Sequence, residues 1–339
     1  MHPEGFLCDH AGVMTVGSGR APAGVDEAVL GIEVGGTTMA AGVVGPDGHL
    51  LSVARVAIAA ADSAEDLWQA LMTAGDQALA AAGVARVVGI GCGCAGPMQW
   101  PHGVVSPLNL PQWREFPLAA RIHEKWPLGP TRVHNDAVCL AVAEHWVGAA
   151  RGSANALGLV VSTGVGGGLI LGNRVINGGL GNAGHIGHVV VDPDGPPCAC
   201  GGRGCLEAIA RGPAIVAWAQ QQGWSPPTGH RADDVGLLMS ATEGNPVAVD
   251  AFRRCGEAIG QVLASAAALL DLDVAAIGGG LMNAGELLVG PLHDSFDRHA
   301  GFGFVRRLQI VPASCGQEAG IVGAAGLVAG GPRYWTAEQ

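Results

Sequence analysis

Residues 29–58 read VLGIEVGGTTMAAGVVGPDGHLLSVARVAI and decide the fold of the first half of the chain. Three short apolar runs are separated by two Gly-rich turns, GGTT at 35–38 and GPDG at 45–48. Apolar runs of this length between such turns are typical of β-strands joined by hairpins. The stretch therefore predicts a β-meander that begins near Val29.

Alternating strands and helices are predicted after this meander. The expected elements are a helix at about Ala64–Ala82, a buried strand at Val87–Cys94, a Pro-containing loop at Ala95–Pro117, a strand at about Thr131–His134 and a helix from Ala137 to Trp146. Apolar periodicity and turn residues are the basis for each of them.

The same plan recurs in the second half, which starts near Ala156 with ALGLVVS, the turn TGVGG, GLIL, a two-residue turn at 172–173 and RVI. The later elements are a strand at Val274–Ile277, helices at about Ala284–His299 and Glu318–Ala329, and a strand at Leu308–Val311. Two copies of a meander followed by strands and helices predict duplicated α/β domains with a cleft between them.

The composition indicates a globular protein with a large core. Of the 339 residues, 49% are hydrophobic and 14% are charged, and the formal net charge is −11. The sequence contains no apolar run of the roughly 18 residues that span a bilayer, and no signal-peptide pattern. We therefore expect a cytoplasmic protein without membrane association. The negative charge and the scattered basic residues argue against nucleic-acid binding.

Four residues in HVVVDPDGPPCACGGRGC, at 188–205, form a candidate zinc site. They are His188, Cys198, Cys200 and Cys205. Three thiolates and one imidazole complete a tetrahedral set for structural Zn²⁺, and they leave no open position for catalysis. The alternative is three ordinary buried cysteines and a capping histidine. The total of nine cysteines is odd, which does not favour a disulfide framework.

Gly-rich turns at equivalent places in the two halves are candidate phosphate sites. They are Gly35-Gly36-Thr37-Thr38 and Thr163-Gly164-Val165-Gly166-Gly167-Gly168, and a third turn, GGG, follows Val274–Ile277. Backbone N–H groups in such turns can approach a polyphosphate, although many Gly-rich hairpins bind nothing. None of the three is a Walker A sequence.

Asn135-Asp136 follows a predicted strand and opens a predicted helix. An aspartate there commonly caps the helix and does nothing more. The functional alternative is a general base that takes the proton of a substrate hydroxyl as the hydroxyl attacks a γ-phosphate.

Motifs along nearly the whole chain resemble the ROK family of sugar kinases and sugar-responsive repressors. In order they are IEVGGTTMAAGVV, GCAGPM with SPLNLPQW, HNDA, VSTGVGGGLILGNRVINGG, GNAGHIGHVVVDPDGPPCACGGRGCLEAIARG, AAIGGGL and EAGIVGAAGL. The zinc stretch is the most specific of these motifs.

The resemblance implies an α/β fold of two ribonuclease-H-like, actin-like ATPase domains that close around ATP and sugar. Residues 1–28 would be a flexible extension, and 29–136 the N-terminal domain, joined by a C-terminal helix at about 318–332. Residues 137–317 would be the C-terminal domain, with the zinc loop at 185–207.

The resemblance also implies the roles of the site residues. Asp136 would be the catalytic base, and the substrate-binding residues would be Gly96, Asn109, Asn135, His185, His188 and Glu207. The cofactor-binding residues would be Glu33, Gly35, Gly36, Thr37, Thr38, Thr163, Gly164, Gly166, Gly167, Gly279 and Gly280. Mg²⁺ would bridge the phosphates, and His188 would bind zinc with one ring nitrogen and sugar with the other.

Two residues depart from the family pattern. Glu33 stands where Asp usually opens the first phosphate motif, and His185 in AGHIGH stands where most family glucokinases carry Glu. Bacterial N-acetylmannosamine kinases carry His in a similar segment. A hexose kinase that prefers an N-acylated or amino hexose is therefore expected, with ordinary glucose preference as the alternative.

Other hypotheses remain at this point. A sugar-sensing ROK repressor would carry a winged-helix domain before the first meander, and the first 28 residues show no helical pattern. Only Glu33 supports the hypothesis of a sugar sensor without catalysis. Polyphosphate could replace ATP as the donor, and the resemblance suggests a homodimer or a dimer of dimers.

Overall fold

The computed structural model describes residues 13–14, 27–58, 61–84 and 86–337. The chain divides into two compact units. Unit 1 extends to Val147 and also contains Gly179–Asn182 and the residues from Gln317 onward, whereas unit 2 contains Gly148–Gly178 and Ala183–Gly316. Among the described residues, no helix has the length and apolar character needed to cross a membrane.

Strands occur in both units. In chain order the described strands are β1 (Val13–Met14), β2 (Glu27–Val34), β3 (Thr38–Val44), β4 (Leu50–Ala57), β5 (Arg86–Cys94), β6 (Met98–Gln99), β7 (Val104–Val105), β8 (Phe116–Pro117), β9 (Thr131–His134), β10 (Ala156–Val161), β11 (Val165–Leu171), β12 (Arg174–Val175), β13 (Val274–Gly278) and β14 (Gln309–Pro312).

Helices complete both units. The described α-helices are α1 (Ala64–Ala82), α2 (Leu118–Lys125), α3 (Asp136–Trp146), α4 (Leu206–Ala210), α5 (Gly212–Gln221), α6 (Asp234–Thr242), α7 (Pro246–Leu270), α8 (Glu286–His299), α9 (Gly303–Arg306) and α10 (Ala319–Ala329). Short 3₁₀ helices lie at Ile186–His188, Gly280–Ala284, Gly316–Glu318 and Gly331–Arg333.

The two large sheets repeat one topology. In unit 1 the order is β1-β4-β3-β2-β5-β9, and in unit 2 it is β12-β11-β10-β13-β14. In each unit a meander is antiparallel and the next two strands are parallel to its first strand. The predicted duplication of an α/β plan is therefore confirmed.

Part of the predicted N-terminal extension belongs to this architecture. Val13–Met14 pairs with Val56 and Arg55 at the edge of the unit 1 sheet, and Glu27–Ala28 opens β2. The rest of residues 1–28 lies outside the described residues. Two residues are too few to show an apolar period, so the sequence alone could not predict this strand.

Glycines on one face of the unit 1 sheet allow α10 to pack close to the strand backbone. Leu30 and Ile32 of β2 join the core that contains α1, whereas Val29 joins Ile321 of α10 on the opposite face. A Cβ on Gly31 would overlap the carbonyl of Ile321. Because side chains alternate along a strand, Glu33 follows Val29 and Gly31 onto the face that α10 covers.

Helix α3 belongs to unit 1, although the sequence analysis placed residues from 137 onward in the second domain. The reason is its close packing on α10. A Cβ on Gly323 would overlap the carbonyl of Cys139, so the two helices approach at backbone distance. This packing holds the start of α3, and with it Asp136, near β2.

Candidate functional site

The first Gly-rich turn joins β2 to β3 and exposes its tip. Gly35 donates its N–H to the carbonyl of Thr38 at 3.0 Å, and Thr38 is the first residue of β3. Gly36 and Thr37 are exposed. A Cβ on Gly36 would lie 3.1 Å from Nδ2 of Asn109, so this turn and a predicted sugar-binding residue are neighbours. The turn offers backbone N–H groups to an anionic ligand.

Gly96 belongs to the same part of unit 1. Its carbonyl accepts a hydrogen bond from the N–H of Leu108 at 3.3 Å, which ties the start of the 95–117 loop to the residue before Asn109. The peptide bond between Gly96 and Pro97 is cis. The predicted loop also contains β6, β7 and β8, which form a small three-stranded sheet.

Glu33 lies beside the first turn of α10. A Cβ on Gly320 would overlap the Glu33 carboxyl group, so the longer side chain fits because residue 320 is glycine. Arg55 donates to both carboxylate oxygens of Glu318 at 2.6 Å nearby. The pKa of Glu33 is raised to about 7, chiefly by burial and then by the charges of Asp136 and Glu318, while Arg55 opposes the shift.

This pKa predicts how stability depends on pH. The folded pKa of Glu33 is raised from 4.5 to about 7, so its stabilising contribution is present below about pH 4.5 and is lost as pH rises through 7. In protein without metal or nucleotide, Glu33→Gln should raise stability by less than about 1 kcal/mol at pH 5. At pH 8.5 the variant should be more stable by roughly 2–3 kcal/mol. Urea unfolding at both pH values measures this.

Glu65→Gln is the matched control for that experiment. Glu65 is an exposed residue whose pKa is lowered by its hydrogen bond to Arg121. Its contribution is present above its ordinary pKa, so the control should not gain stability at pH 8.5. Equal behaviour of the two variants would contradict the buried position of the Glu33 carboxyl group.

Asp136 is the first residue of α3, and Asn135 is the N-cap. The N–H of Ala137 donates to Asn135 Oδ1 at 3.0 Å and to Asp136 Oδ1 at 2.8 Å. Asn135, which precedes the helix, is therefore the capping residue, and Asp136 is a second acceptor for the same N–H. Asp136 is half-buried and close enough to raise the pKa of Glu33, which brings two predicted site carboxylates together.

Two buried thiols lie around Asp136. Burial raises the pKa of Cys94 and of Cys139 well above the usual value, and the charge of Asp136 adds to both shifts. Both cysteines are fully buried. Both thiols therefore stay protonated at neutral pH.

The second Gly-rich turn is shorter than predicted. The turn covers Ser162–Gly164, where the N–H of Ser162 donates to the carbonyl of Gly164 at 2.9 Å. The sequence analysis was wrong to place Gly166 and Gly167 in it, since both pair with β10 inside β11. A Cβ on Gly167 would lie 2.8 Å from the Ile186 side chain, so glycine is needed there for packing.

Glu207 and the third Gly-rich turn both adjoin the second turn. The N–H of Val165 donates to Glu207 Oε2 at 3.0 Å. On the other side, a Cβ on Gly280 would lie 3.8 Å from Oγ of Ser162. Gly279 has φ of 103° and packs on the carbonyl of Val161, which requires glycine. Unit 2 thus collects three predicted ligand-binding segments around Thr163, which is exposed.

The four predicted metal ligands converge. Their ligand atoms all lie within 4.8 Å of one another, and they are His188, Cys198, Cys200 and Cys205. Cys198 Sγ is 3.7 Å from His188 Nδ1, and Cys200 Sγ is 3.8 Å from Cys205 Sγ. Two sulfurs bound tetrahedrally to one Zn²⁺ at about 2.3 Å would lie about 3.8 Å apart. The donor set therefore fits zinc.

His188 presents Nδ1 to the thiols, so Nε2 is the ring nitrogen left for a ligand. The ring of His185 stacks on it at 6.0 Å between centroids and 21° between planes. His185 is exposed, and Glu207 lies in α4, two residues after Cys205. The four predicted metal ligands and the predicted sugar-binding residues of unit 2 thus share one short stretch of chain.

Three residues near the site were missed by sequence reasoning. They are the ion pair Arg55 and Glu318, which adjoins Glu33, and His134, which precedes Asn135 and is fully buried. Arg55 and Glu318 are 263 residues apart, so no local pattern links them. For His134, the one signal that the sequence offered is its position directly before the Asn-Asp pair.

Comparisons with known proteins agree with the fold. The sequence profile of the ROK family matches residues 29–330. A glucokinase of Streptomyces coelicolor is 33% identical over 312 residues, which cover 88% of this chain and 96% of that protein. An N-acetylmannosamine kinase of Escherichia coli O157:H7 is 32% identical over 302 residues, with coverages of 89% and 98%.

Two solved structures are similar throughout. A ROK hexokinase from Thermus thermophilus has a TM-score of 0.79 and 36% identity, and the match covers 88% of this chain and 96% of that one. A ROK family glucokinase from Streptomyces griseus, in complex with glucose and AMPPNP, has a TM-score of 0.75 and 35% identity, with coverages of 88% and 98%.

Proposed function

Because the chain belongs to the ROK family and is a sugar kinase, we propose that it phosphorylates the 6-hydroxyl of a hexose with ATP, and that it favours an N-acylated or amino hexose. The observation that carries the reaction is the place of Asp136 at the start of α3, beside Glu33. The observation that favours the acceptor is the exposed His185 stacked on His188.

In the proposed reaction Asp136 is the general base. Its carboxylate accepts the proton of the sugar 6-hydroxyl while that oxygen forms a bond to the γ-phosphorus of ATP. The bond between the γ-phosphorus and the β,γ-bridging oxygen breaks, and its electron pair leaves with ADP. The backbone N–H groups of the first turn bind phosphate oxygens and stabilise the charge that develops.

A divalent cation suits the carboxylates of unit 1. Glu33 is held close to Asp136, and the repulsion between them raises the Glu33 pKa, so a cation would relieve it. Carboxylate oxygens are the ligands that Mg²⁺ prefers. When bound there, Mg²⁺ would offset negative charge on the transferring phosphates.

Zinc is proposed as a structural ion in unit 2. The four donors fill a tetrahedron and leave no position for substrate. When bound, Zn²⁺ would hold the 185–207 loop and fix the His188 ring, so that Nε2 donates to or accepts from a sugar hydroxyl. Glu207 accepts from the Val165 N–H through Oε2, and its Oε1 is proposed to bind a second hydroxyl.

The direct test is a sugar panel with Mg-ATP, scored by kcat/KM from coupled ADP release. Glucose, mannose, N-acetylmannosamine, N-acetylglucosamine and glucosamine are the acceptors, and polyphosphate is the alternative donor. Phosphorylation of an N-acetylated or amino hexose with the highest kcat/KM supports the proposal. A highest value for glucose refutes the acceptor preference, and no turnover with any sugar refutes the proposed reaction.

The role of His185 predicts a change of specificity. His185→Glu should raise the ratio of kcat/KM for glucose to that for N-acetylmannosamine by about tenfold or more, because a carboxylate accepts hydrogen bonds that an imidazole cannot. His293→Glu is the matched control, since His293 is an exposed histidine on α8. An unchanged ratio in His185→Glu would mean that this residue does not set the preference.

A further inference from the structure

Tyr334 and Trp335 pack against both ends of the helix that carries Asp136. Tyr334 is fully buried and Trp335 is 9% exposed. The Tyr334 hydroxyl lies 2.7 Å from Nδ1 of His145, in the last turn of α3. The Trp335 ring meets His134 edge-on, with 6.3 Å between centroids and 89° between ring planes. Two adjacent residues therefore contact the chain before α3 and at its end.

The His134 ring is held in a cluster of three rings. Its side chain is fully buried. The Trp100 ring lies 6.3 Å from His134 and 5.6 Å from Trp335, measured between centroids. The Arg132 guanidinium lies over the Trp335 ring at 5.7 Å. Rings packed at these distances restrict one another, so the cluster determines the orientation of the imidazole.

This orientation directs His134 Nδ1 to the backbone. Nδ1 accepts a hydrogen bond from the N–H of Asn135 at 2.8 Å. Asn135 is the N-cap of α3, with φ of −61° and ψ of 141°, so its N–H lies ahead of the helical hydrogen bonds. The His134 side chain thus holds Asn135, the residue directly before Asp136.

From these contacts we propose that Trp335 is a positioning residue for Asp136 that acts through His134, while the neighbouring Tyr334 holds the end of α3 through His145. The inference rests on the proposed function, in which Asp136 is the base. Misplacement of a reacting group by about 1 Å can lower a rate roughly 100-fold. Loss of the ring cluster therefore lowers kcat, and it raises the sugar KM less, because Asn135 is only one of the proposed sugar-binding residues.

The first test compares Trp335→Ala with Trp335→Phe. In Trp335→Ala we expect kcat to fall roughly 10- to 100-fold with a smaller rise in the sugar KM, and Trp335→Phe should recover most of the loss because a ring is restored. Trp126→Ala is the control. Trp126 is buried in the same unit and is bonded to Asp76, so its loss lowers stability without touching the cluster.

A second pair of variants separates the contribution of the His134 ring from that of its hydrogen-bond acceptor, Nδ1. His134→Asn places Oδ1 near the position of Nδ1 and keeps an acceptor for the Asn135 N–H, whereas His134→Phe keeps a ring without an acceptor. We expect kcat to be lower in His134→Phe than in His134→Asn. Full kcat in Trp335→Ala, equal losses in Trp335→Ala and Trp126→Ala, or a higher kcat in His134→Phe would overturn the inference.

Hydrogen exchange provides a readout that is independent of activity. Amides in a peptide over residues 131–140 should exchange faster in Trp335→Ala than in the wild type, and not in Trp126→Ala. Equal exchange in Trp335→Ala and the wild type would overturn the inference. If the wild type phosphorylates no sugar of the panel, the proposed function fails, and this comparison still decides whether the C-terminal residues hold His134 and Asn135.

Discussion

Replacing Asp136 with Asn is expected to lower kcat by roughly 10²- to 10⁴-fold, the usual contribution of a general base. The amide has the size of the carboxylate but cannot take a proton. Asn keeps an oxygen that can accept from the Ala137 N–H, as Asp136 Oδ1 does, so the start of α3 should be retained. The sugar dissociation constant should stay within a few-fold of the wild-type value.

Steady-state kinetics and calorimetric titration with sugar measure the two quantities separately. Asp47→Asn is the matched control, because Asp47 is an exposed turn residue of the same unit that accepts from the His49 N–H. Its kcat should equal that of the wild type. An Asp136→Asn enzyme with full kcat would remove Asp136 from the role of base and would leave the proposed reaction without a proton acceptor.

Much of the unit 1 sheet could be predicted because its signals are local. The helix expected at Ala64–Ala82 is found at these residues, with Ser63 and Asp66 forming a capping box and Gly83 ending the helix. The meander strands are equally clear, since Gly-rich turns separate apolar runs. Such elements depend on neighbouring residues, and a single sequence contains that information.

Other elements could not be located from local patterns. Helix α7 spans Pro246–Leu270, and the sequence analysis gave no bounds for it. It begins at the N-cap Asn245, but it is rich in Ala and closely packed, with Gly256 and Gly260 against carbonyls of α8. The need for these glycines becomes visible only when the partner helix is in place, because packing and not propensity determines them.

In the candidate site, too, local features could be predicted from the sequence and long-range contacts could not. The convergence of the four candidate zinc ligands could be predicted from their spacing, since all four lie within 18 residues of one another. The hydrogen bond from Val165 to Glu207 joins residues 42 apart, and no periodicity predicts it. Gly166 and Gly167 were misassigned because a glycine run signals both a turn and a strand that admits close neighbours.

Cys200→Ser is expected to lower thermal stability and sugar affinity together. A structural Zn²⁺ contributes about 10 kcal/mol or more in small motifs, so loss of even a third of it would lower Tm by roughly 6–12 °C. Cys200 is exposed, and replacing its sulfur with oxygen removes little packing. A large loss of thermal stability would therefore result from loss of the zinc ion and not from loss of side-chain packing. Calorimetry, elemental analysis for zinc and sugar titration are the measurements.

Cys315→Ser controls for loss of a thiol outside the cluster, since Cys315 is half-buried and distant in sequence from the four ligands. The decisive comparison is sugar affinity at a temperature where both variants are folded. His188 binds the cluster through Nδ1, so a zinc-free loop leaves its ring free to rotate and Nε2 without a fixed position. A zinc-free protein that binds sugar as tightly as the wild type would show that the ion stabilises the loop alone, and His188 would lose its proposed second role.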